Sequence, residues 1–334
     1  MNEPEITLFL PRECGSLSGG NLYNRELLAA LRRQVEVASP TIDALWTVLA
    51  RGTPGTFLID SLDLGAAPAI ERRAPDQRFG LLVHHLPSLE PGLRLSDPAR
   101  DLERQVLGRF DFWVTTSGFA RHLLLARDLP SDRVFSVPPG LSPVDRGARE
   151  LATPLAALWV GNLIPRKGLL ALLTALARLA RDDDDFQLTV VGRHNAHPEY
   201  AEACQRLVAG SARIAKRVTF HGAAPPEQMP AFYRRSSLLV SSSEMETYGM
   251  ALQEARAHGV PILALDRGNA PEHVDPGKNG LLAQSIDELC TTLLGFARDP
   301  ETLRPLFDAA ARAPAPTRTW DDAARALLAA ISSF

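Results

Sequence analysis

The stretch Ala156-Ala157-Leu158-Trp159-Val160-Gly161-Asn162-Leu163-Ile164-Pro165-Arg166-Lys167-Gly168-Leu169 holds three signals in order. Ala156–Val160 is an apolar run of the length of a buried strand. Gly161 to Gly168 is punctuated by Gly and Pro and reads as a loop. From Leu169 to Arg181, apolar residues recur at helical spacing. Strand, loop and helix in that order form half of a βαβ unit, which places the strand in a parallel sheet. Arg166 and Lys167 then stand at a strand's carboxyl end, where doubly wound sheets bind ligands.

The same alternation extends both ways. Downstream, strands are expected at Gln187–Val191, Val218–Phe220, Leu238–Ser241 and Pro261–Ala264, with helices at Tyr200–Val208, Pro226–Arg234 and Met250–His258. Upstream, strands are expected at Ile6–Leu10, Val35–Ala38, Thr56–Ile59, Phe79–Val83, Phe112–Thr116 and Val134–Val137, with helices at Asn21–Arg33, Ala99–Arg109 and Phe119–Arg127. Each half carries five or six strands, so the fold class is α/β with two doubly wound, Rossmann-like domains. Pro138-Pro139-Gly140 closes the first half, and the stretch to Pro154 has no clear period. The expected division is an N-terminal domain (1–140), a linker (141–154), a C-terminal domain (155–312) and a C-terminal helical segment (313–334) that could pack back on the first domain. Thr319 and Asp322 form a helix-start signature within that segment.

Composition agrees with this picture. The 334 residues suggest roughly two domains, and 45% hydrophobic with 22% charged residues is ordinary for a globular protein. A net charge of −3 gives no reason to expect a nucleic-acid partner. Three scattered cysteines (Cys14, Cys204, Cys290) argue against a disulfide framework or a cysteine-rich zinc site. The acidic start Met1-Asn2-Glu3-Pro4-Glu5 lacks a basic n-region, and no apolar run is long enough to span a membrane. A cytoplasmic protein is expected, with peripheral contact to a membrane surface left open. Only three of the 36 basic residues are lysines, which draws attention to Lys167 in its loop.

Four constellations could carry chemistry. Ser18-Gly19-Gly20-Asn21 opens the first helix, where glycines admit a ligand to the backbone and the helix terminus favours an anion. The strict G-x-G-x-x-G pattern is absent, and a tight turn without a ligand is an equal reading. Arg166-Lys167 could neutralise a diphosphate, although a lone basic pair is usually a solvated turn. Glu246-Thr247-Tyr248-Gly249-Met250-Ala251-Leu252-Gln253-Glu254 is the most specific. A helix starting near Gly249 would aim free amides at a phosphate, and Glu254 one turn further in could accept both hydroxyls of a ribose. The plain alternative is an acidic residue favoured by the helix dipole. His84-His85 ends the strand Phe79–Val83, where a histidine can bind a ligand or simply be satisfied within the fold. The acidic run Asp182 to Asp185 reads as a solvated turn, with no ligand cluster around it to make a metal site.

In combination these motifs resemble a retaining glycosyltransferase of the GT-B fold, glycosyltransferase family 4 or "group 1" type, the family of sucrose synthases and bacterial mannosyl- and glucosyltransferases. The resemblance runs from about Ile6 to Ala297. Its specific parts are Val160 to Gly168, Glu246 to Glu254 and Gly259-Val260-Pro261-Ile262; Gly268 to Glu272 and Gly277 to Leu282 fit the family's late loops. It implies two domains facing a central cleft and a nucleoside diphosphate sugar as donor substrate, with no cofactor and no metal. Arg166 and Lys167 would hold the diphosphate with the amides near Gly249 and Met250, Tyr248 would line the donor site, and Glu254 would hold the ribose. Glu246 would bind the sugar, Gly19 and Gly20 would close over the phosphates, and His85 (or His84) would stand near the sugar. On that basis His85, Glu246, Arg166 and Lys167 are the candidate catalytic residues. One departure is Thr247, where the family usually has Gly. The donor base is left open among uridine, guanosine, adenosine and deoxythymidine, and so is the acceptor, around a compact region from Leu86 to Leu95. A sugar-nucleotide epimerase, a phosphorolytic enzyme and a non-catalytic nucleotide-binding protein are the alternatives on the same scaffold.

Overall fold

Apolar runs bounded by Gly and Pro become short parallel strands, and the amphipathic segments between them become helices. We describe residues 6–12, 14–15, 18–94 and 96–333 of a computed structural model. The acidic N-terminal five residues and Leu95, at the end of the expected acceptor region, lie outside the described residues.

In the first half the elements are β1 (Ile6–Phe9), α1 (Gly19–Leu31), β2 (Val37–Ala38), α2 (Leu45–Arg51), β3 (Gly55–Asp60), β4 (Gln77–Val83), α3 (Pro98–Val106), β5 (Phe112–Thr115), α4 (Gly118–Leu125) and β6 (Val134–Ser136). The second half continues with β7 (Leu155–Val160), α5 (Leu169–Leu179), β8 (Phe186–Val191), α6 (Pro198–Ala209), β9 (Val218–Gly222), α7 (Met229–Arg235), β10 (Leu238–Ser241), α8 (Met250–Ala257), β11 (Ile262–Leu265), β12 (Gly280–Ala283), α9 (Ile286–Arg298) and α10 (Arg304–Arg312). The last helix is α11 (Trp320–Ser332). Two units result: the chain to Ser142 together with Arg318 onward, and Pro143–Thr317.

Each unit holds a six-stranded parallel sheet, ordered β2-β1-β3-β4-β5-β6 in the first and β12-β11-β10-β7-β8-β9 in the second. Helices cover both faces of the second sheet, so its central strands read as nearly continuous apolar runs. Leu188 and Leu238 pack towards Leu172, Leu176 and Leu293 on one side; Leu158, Leu239 and Ile262 pack towards Leu252 and Ala255 on the other. Strand order reverses between β1 and β3 in the first sheet and between β7 and β10 in the second. The loops after β7 and β10 are the two that carry Arg166-Lys167 and Glu246.

The first unit is completed by α11, which packs on α1. Trp320 meets Tyr23 edge-on at 5.5 Å, and Arg33 pairs with Asp321 at 2.5 Å. Thr319 and Asp322 form a reciprocal capping box at the start of α11. Gly140 runs against this start: a Cβ there would lie 2.1 Å from the Trp320 nitrogen, so only glycine fits. The segment between Pro143 and Pro154 has no regular structure, but two arginines tie it to the second unit. Arg146 donates to the carbonyls of Arg256, Ala257 and Ala313, at the carboxyl ends of α8 and α10. Arg149 donates to the Gly259 and Ser236 carbonyls with Phe307 beneath it at 4.6 Å. Cations at helix carboxyl ends offset the macrodipole.

Three expectations are corrected. Gly280–Ala283, read as part of a late loop, is β12, pairing with β11 from Ile262 to Leu265. Within the acidic run, Asp184 is 1% exposed and not solvated: it pairs with Arg298 at 2.6 Å and accepts from the Arg181 amide. Burial of a carboxylate is tolerated because both partners are supplied. Helices α2 and α9 add to those expected from periodicity.

Candidate active site

The site is built from the two loops at the switch point of the second sheet. The first bends through Gly168, whose φ is +68°. A Cβ at Gly168 would lie 2.0 Å from the Ser242 carbonyl oxygen, so glycine lets the two loops touch. The loops are then pinned together. The Glu244 amide donates to the Arg166 carbonyl at 2.9 Å, Ser242 Oγ donates to the Lys167 carbonyl at 2.9 Å, and Trp159 Nε1 donates to Ser242 Oγ at 3.0 Å. Arg166 Nη1 reaches the Met245 carbonyl at 2.8 Å.

This pinning brings together side chains 79 residues apart. Lys167 Nζ lies 2.5 Å from Glu246 Oε1, which also accepts from Ser243 Oγ at 2.7 Å. Glu246 is 8% exposed. Burial pushes its carboxyl up, but the charges of Lys167 and Arg166 and the hydrogen bonds from Lys167 and Ser243 bring it below the usual range. Burial lowers the Lys167 ammonium, and the Glu246 charge opposes that. The backbone of Glu246 is fixed from behind by the loop after β11. Its carbonyl accepts from the Asn269 amide at 2.7 Å, and Gly268 passes so close that a Cβ would lie 2.6 Å from the Glu246 nitrogen.

Helix α8 begins next. Gly249 is its N-cap with φ +98°, and no side chain caps the helix. The Leu252 and Gln253 amides donate to the Gly249 carbonyl at 3.0 Å, and the Met250 and Ala251 amides are left for a ligand or solvent. The turn is held by its own carbonyl: Tyr248 O accepts from Asn269 Nδ2 at 2.7 Å and lies 2.6 Å from His273 Nε2. Burial pulls the His273 pKa down to about 4, so at neutral pH it is uncharged and donates from Nε2. One turn into α8, Glu254 Oε2 accepts from Tyr233 Oη at 2.6 Å. Burial raises the Glu254 pKa, with the Tyr233 hydrogen bond opposing.

Arg166, Lys167, Glu246, Tyr248, Gly249, Met250 and Glu254 thus lie on consecutive pieces of one switch point. Gly19, Gly20 and His85 belong to the first unit. Gly19 and Gly20 are the first residues of α1, capped by Ser18, whose Oγ accepts from the Asn21 amide at 3.2 Å. Gly20 lies against His84, with a Cβ position 3.3 Å from its ring. His84 is buried in a network with Asn24 Oδ1 at 2.9 Å and Asp60 Oδ2 at 3.4 Å, a satisfied histidine. His85 is partly exposed and holds Glu90 at 3.0 Å. Sequence reasoning missed Ser243, Tyr233 and His273. Asn269 and His273 could have been sought in the loop opened by Gly268-Asn269, but nothing local marks Tyr233. Among the described residues, no group of three or more His, Cys, Asp or Glu could hold a metal ion, and no helix is long and apolar enough to cross a membrane.

Comparison with known proteins bears on this geometry. Residues 154–319, which contain both loops, match the family model described as glycosyl transferases group 1. A D-inositol 3-phosphate glycosyltransferase of Corynebacterium efficiens is 30% identical over 224 residues, 62% of this chain and 53% of that protein. A GDP-mannose-dependent alpha-(1-6)-phosphatidylinositol monomannoside mannosyltransferase of Mycobacterium tuberculosis is 27% identical over 278 residues, 76% of this chain and 70% of the relative. Its match to the first few curated relatives spans about half of their length. In fold it is similar to the sucrose-phosphate synthase of Thermosynechococcus elongatus, with a TM-score of 0.78 at 19% identity over 98% of both chains. Anabaena HepE in complex with UDP and glucose gives a TM-score of 0.76 at 16% identity over 99% of this chain and 100% of the other. The two parallel six-stranded sheets are those of the GT-B fold, and residues 154–319 of the chain belong to the group 1 glycosyl transferases.

Proposed function

We propose that this chain is a retaining glycosyltransferase that moves a sugar from a nucleoside diphosphate sugar to an acceptor hydroxyl without a metal ion. The observation that carries the reading is the Lys167–Glu246 pair at 2.5 Å, in the loop that leads into the uncapped start of α8. A diphosphate leaving group develops negative charge as the bond to the sugar breaks. Lys167, Arg166 and the first amides of α8 are fixed cations and dipoles that favour that charge. Glu246, held on one oxygen by Lys167 and Ser243, presents its carboxylate to sugar hydroxyls. Retention follows when the acceptor oxygen attacks the anomeric carbon on the face from which the diphosphate departs. The new C–O bond forms as the C–O bond to phosphate breaks, and the acceptor proton passes to the departing phosphate oxygen. Relatives named for GDP-mannose and a fold neighbour solved with UDP support guanosine or uridine donors. An inositol-class acceptor is supported by the names of two relatives.

The test is incubation with UDP-glucose or GDP-mannose and an inositol phosphate acceptor in EDTA, with the product anomer read by NMR. An α-linked product from the α-linked donor is expected. A β-linked product excludes retention, dependence on added Mg²⁺ excludes metal independence, and clean epimerisation of the donor without acceptor favours the epimerase alternative.

A further inference from the structure

Glu254 does not stand alone in its helix. Tyr233, from the preceding helix α7, is 0% exposed, and its Oη donates to Glu254 Oε2 at 2.6 Å. The tyrosine ring is itself held: His258 stacks on it at 4.8 Å with the planes 21° apart. His258 is 4% exposed, and its Nδ1 lies 2.8 Å from the Glu254 backbone carbonyl, one turn back along α8. The carboxylate is thus clamped on one oxygen by a hydroxyl that cannot swing away, while Oε1 has no protein partner among the described residues.

We propose that Tyr233 is a positioning residue that fixes the Glu254 carboxylate to receive a ribose diol, and so selects ribonucleoside over 2′-deoxyribonucleoside diphosphates. This rests on the reading of the site as a nucleotide site and narrows it, removing deoxythymidine diphosphate donors from the candidates. The physical argument is one of preorganisation. A free carboxylate on an exposed helix turn rotates and can follow whichever hydroxyl is present, so loss of one hydroxyl costs little. A carboxylate with Oε2 already occupied offers a fixed set of lone pairs, and a missing hydroxyl leaves one of them unmatched. Because Tyr233 is out of contact with solvent, it acts through Glu254.

The experiment is calorimetric titration of UDP, GDP and their 2′-deoxy counterparts into the wild type, Tyr233→Phe, Glu254→Gln and the double variant. Tyr233→Phe keeps the ring that stacks on His258 and removes only the hydroxyl. The wild type is expected to prefer the ribonucleotide by about tenfold or more, the scale of one hydrogen bond to a charged group. In Tyr233→Phe that ratio falls to about threefold or less, mainly because the ribonucleotide binds more weakly. In the Glu254→Gln background, Tyr233→Phe has no further effect, as expected of a residue acting through Glu254. Glu254→Asp, which draws the carboxylate back from an intact Tyr233, collapses the ratio in the same way. Equal weakening of both nucleotides in Tyr233→Phe, or an unchanged ratio, overturns the role of Tyr233 while leaving the nucleotide site standing. No binding of any of the four by the wild type overturns both.

Discussion

The two units carry the same kind of sheet, and both place polar side chains at their switch points, yet they treat those groups differently. In the first unit Asn24 Nδ2 donates to Asp60 Oδ2 at 2.5 Å, Asn24 Oδ1 meets His84 at 2.9 Å, and Ser61 Oγ accepts from the His84 amide at 3.0 Å. That network is buried and closes on itself. In the second unit the charged groups are paired on one side only, and the helix beside them lacks a side-chain cap. The lesson is that polar residues at a strand's carboxyl end do not by themselves make a site. A site needs paired, oriented groups that still have open valence.

The comparison can be broken at several points. The largest effect is expected for Lys167→Ala. Turnover should fall about 10²–10³-fold, the scale of losing one donor to a developing anion. Stability should fall by about 3–5 kcal/mol, because Glu246 is left buried without its cation. A loop lysine with no partner would leave stability almost unchanged, so denaturant unfolding distinguishes the two. Adding Glu246→Gln should restore much of the stability and none of the turnover.

A pH effect comes next. The folded pKa of His273, about 4, lies below its free value of 6.5, so the unfolded chain takes up the proton first on acidification. The stability tied to His273 is therefore present above pH 6.5 and is lost as pH falls towards 4, by up to about 3 kcal/mol. Unfolding at pH 7 and 4.5 should show a smaller loss in His273→Gln than in wild type; equal losses would remove His273 from the account. Smaller again is His84→Ala, which leaves Asn24 and Asp60 short of a partner and should cost about 2 kcal/mol. Nucleotide affinity should stay within about twofold, since a closed network contributes no ligand contact. A tenfold loss of affinity would mean that the first-unit network is a ligand site as well. Least is Gly249→Ala, where a side chain at φ +98° and 2.9 Å from Leu252 should cost about 1–2 kcal/mol and weaken diphosphate binding.

Much of this was legible in the sequence, and the limits have physical causes. Alternating strands and helices were visible because parallel strands buried on both faces are plain apolar runs. Gly280–Ala283 escaped because four residues after Gly277-Lys278-Asn279 look like a turn. Arg166, Lys167, Glu246 and Glu254 were visible because each stands beside a strand end or helix start. Their pairing was not, since Lys167 and Glu246 meet only when two loops 79 residues apart are pinned through Gly168 and Ser242. Tyr233 is one apolar-face aromatic on a short helix, indistinguishable in sequence from core. The Gly19-Gly20 pair opens α1, as its place in the sequence suggests, but Gly20 packs on a satisfied histidine, which no local pattern shows.

The central claim is that the switch point of the second sheet binds a diphosphate through Lys167. Calorimetric titration of UDP and GDP into wild type and Lys167→Ala, in EDTA, tests it most directly. Single-site binding of one of them by the wild type, weakened at least about tenfold in Lys167→Ala, is the predicted result. Equal affinity in the two proteins would contradict it.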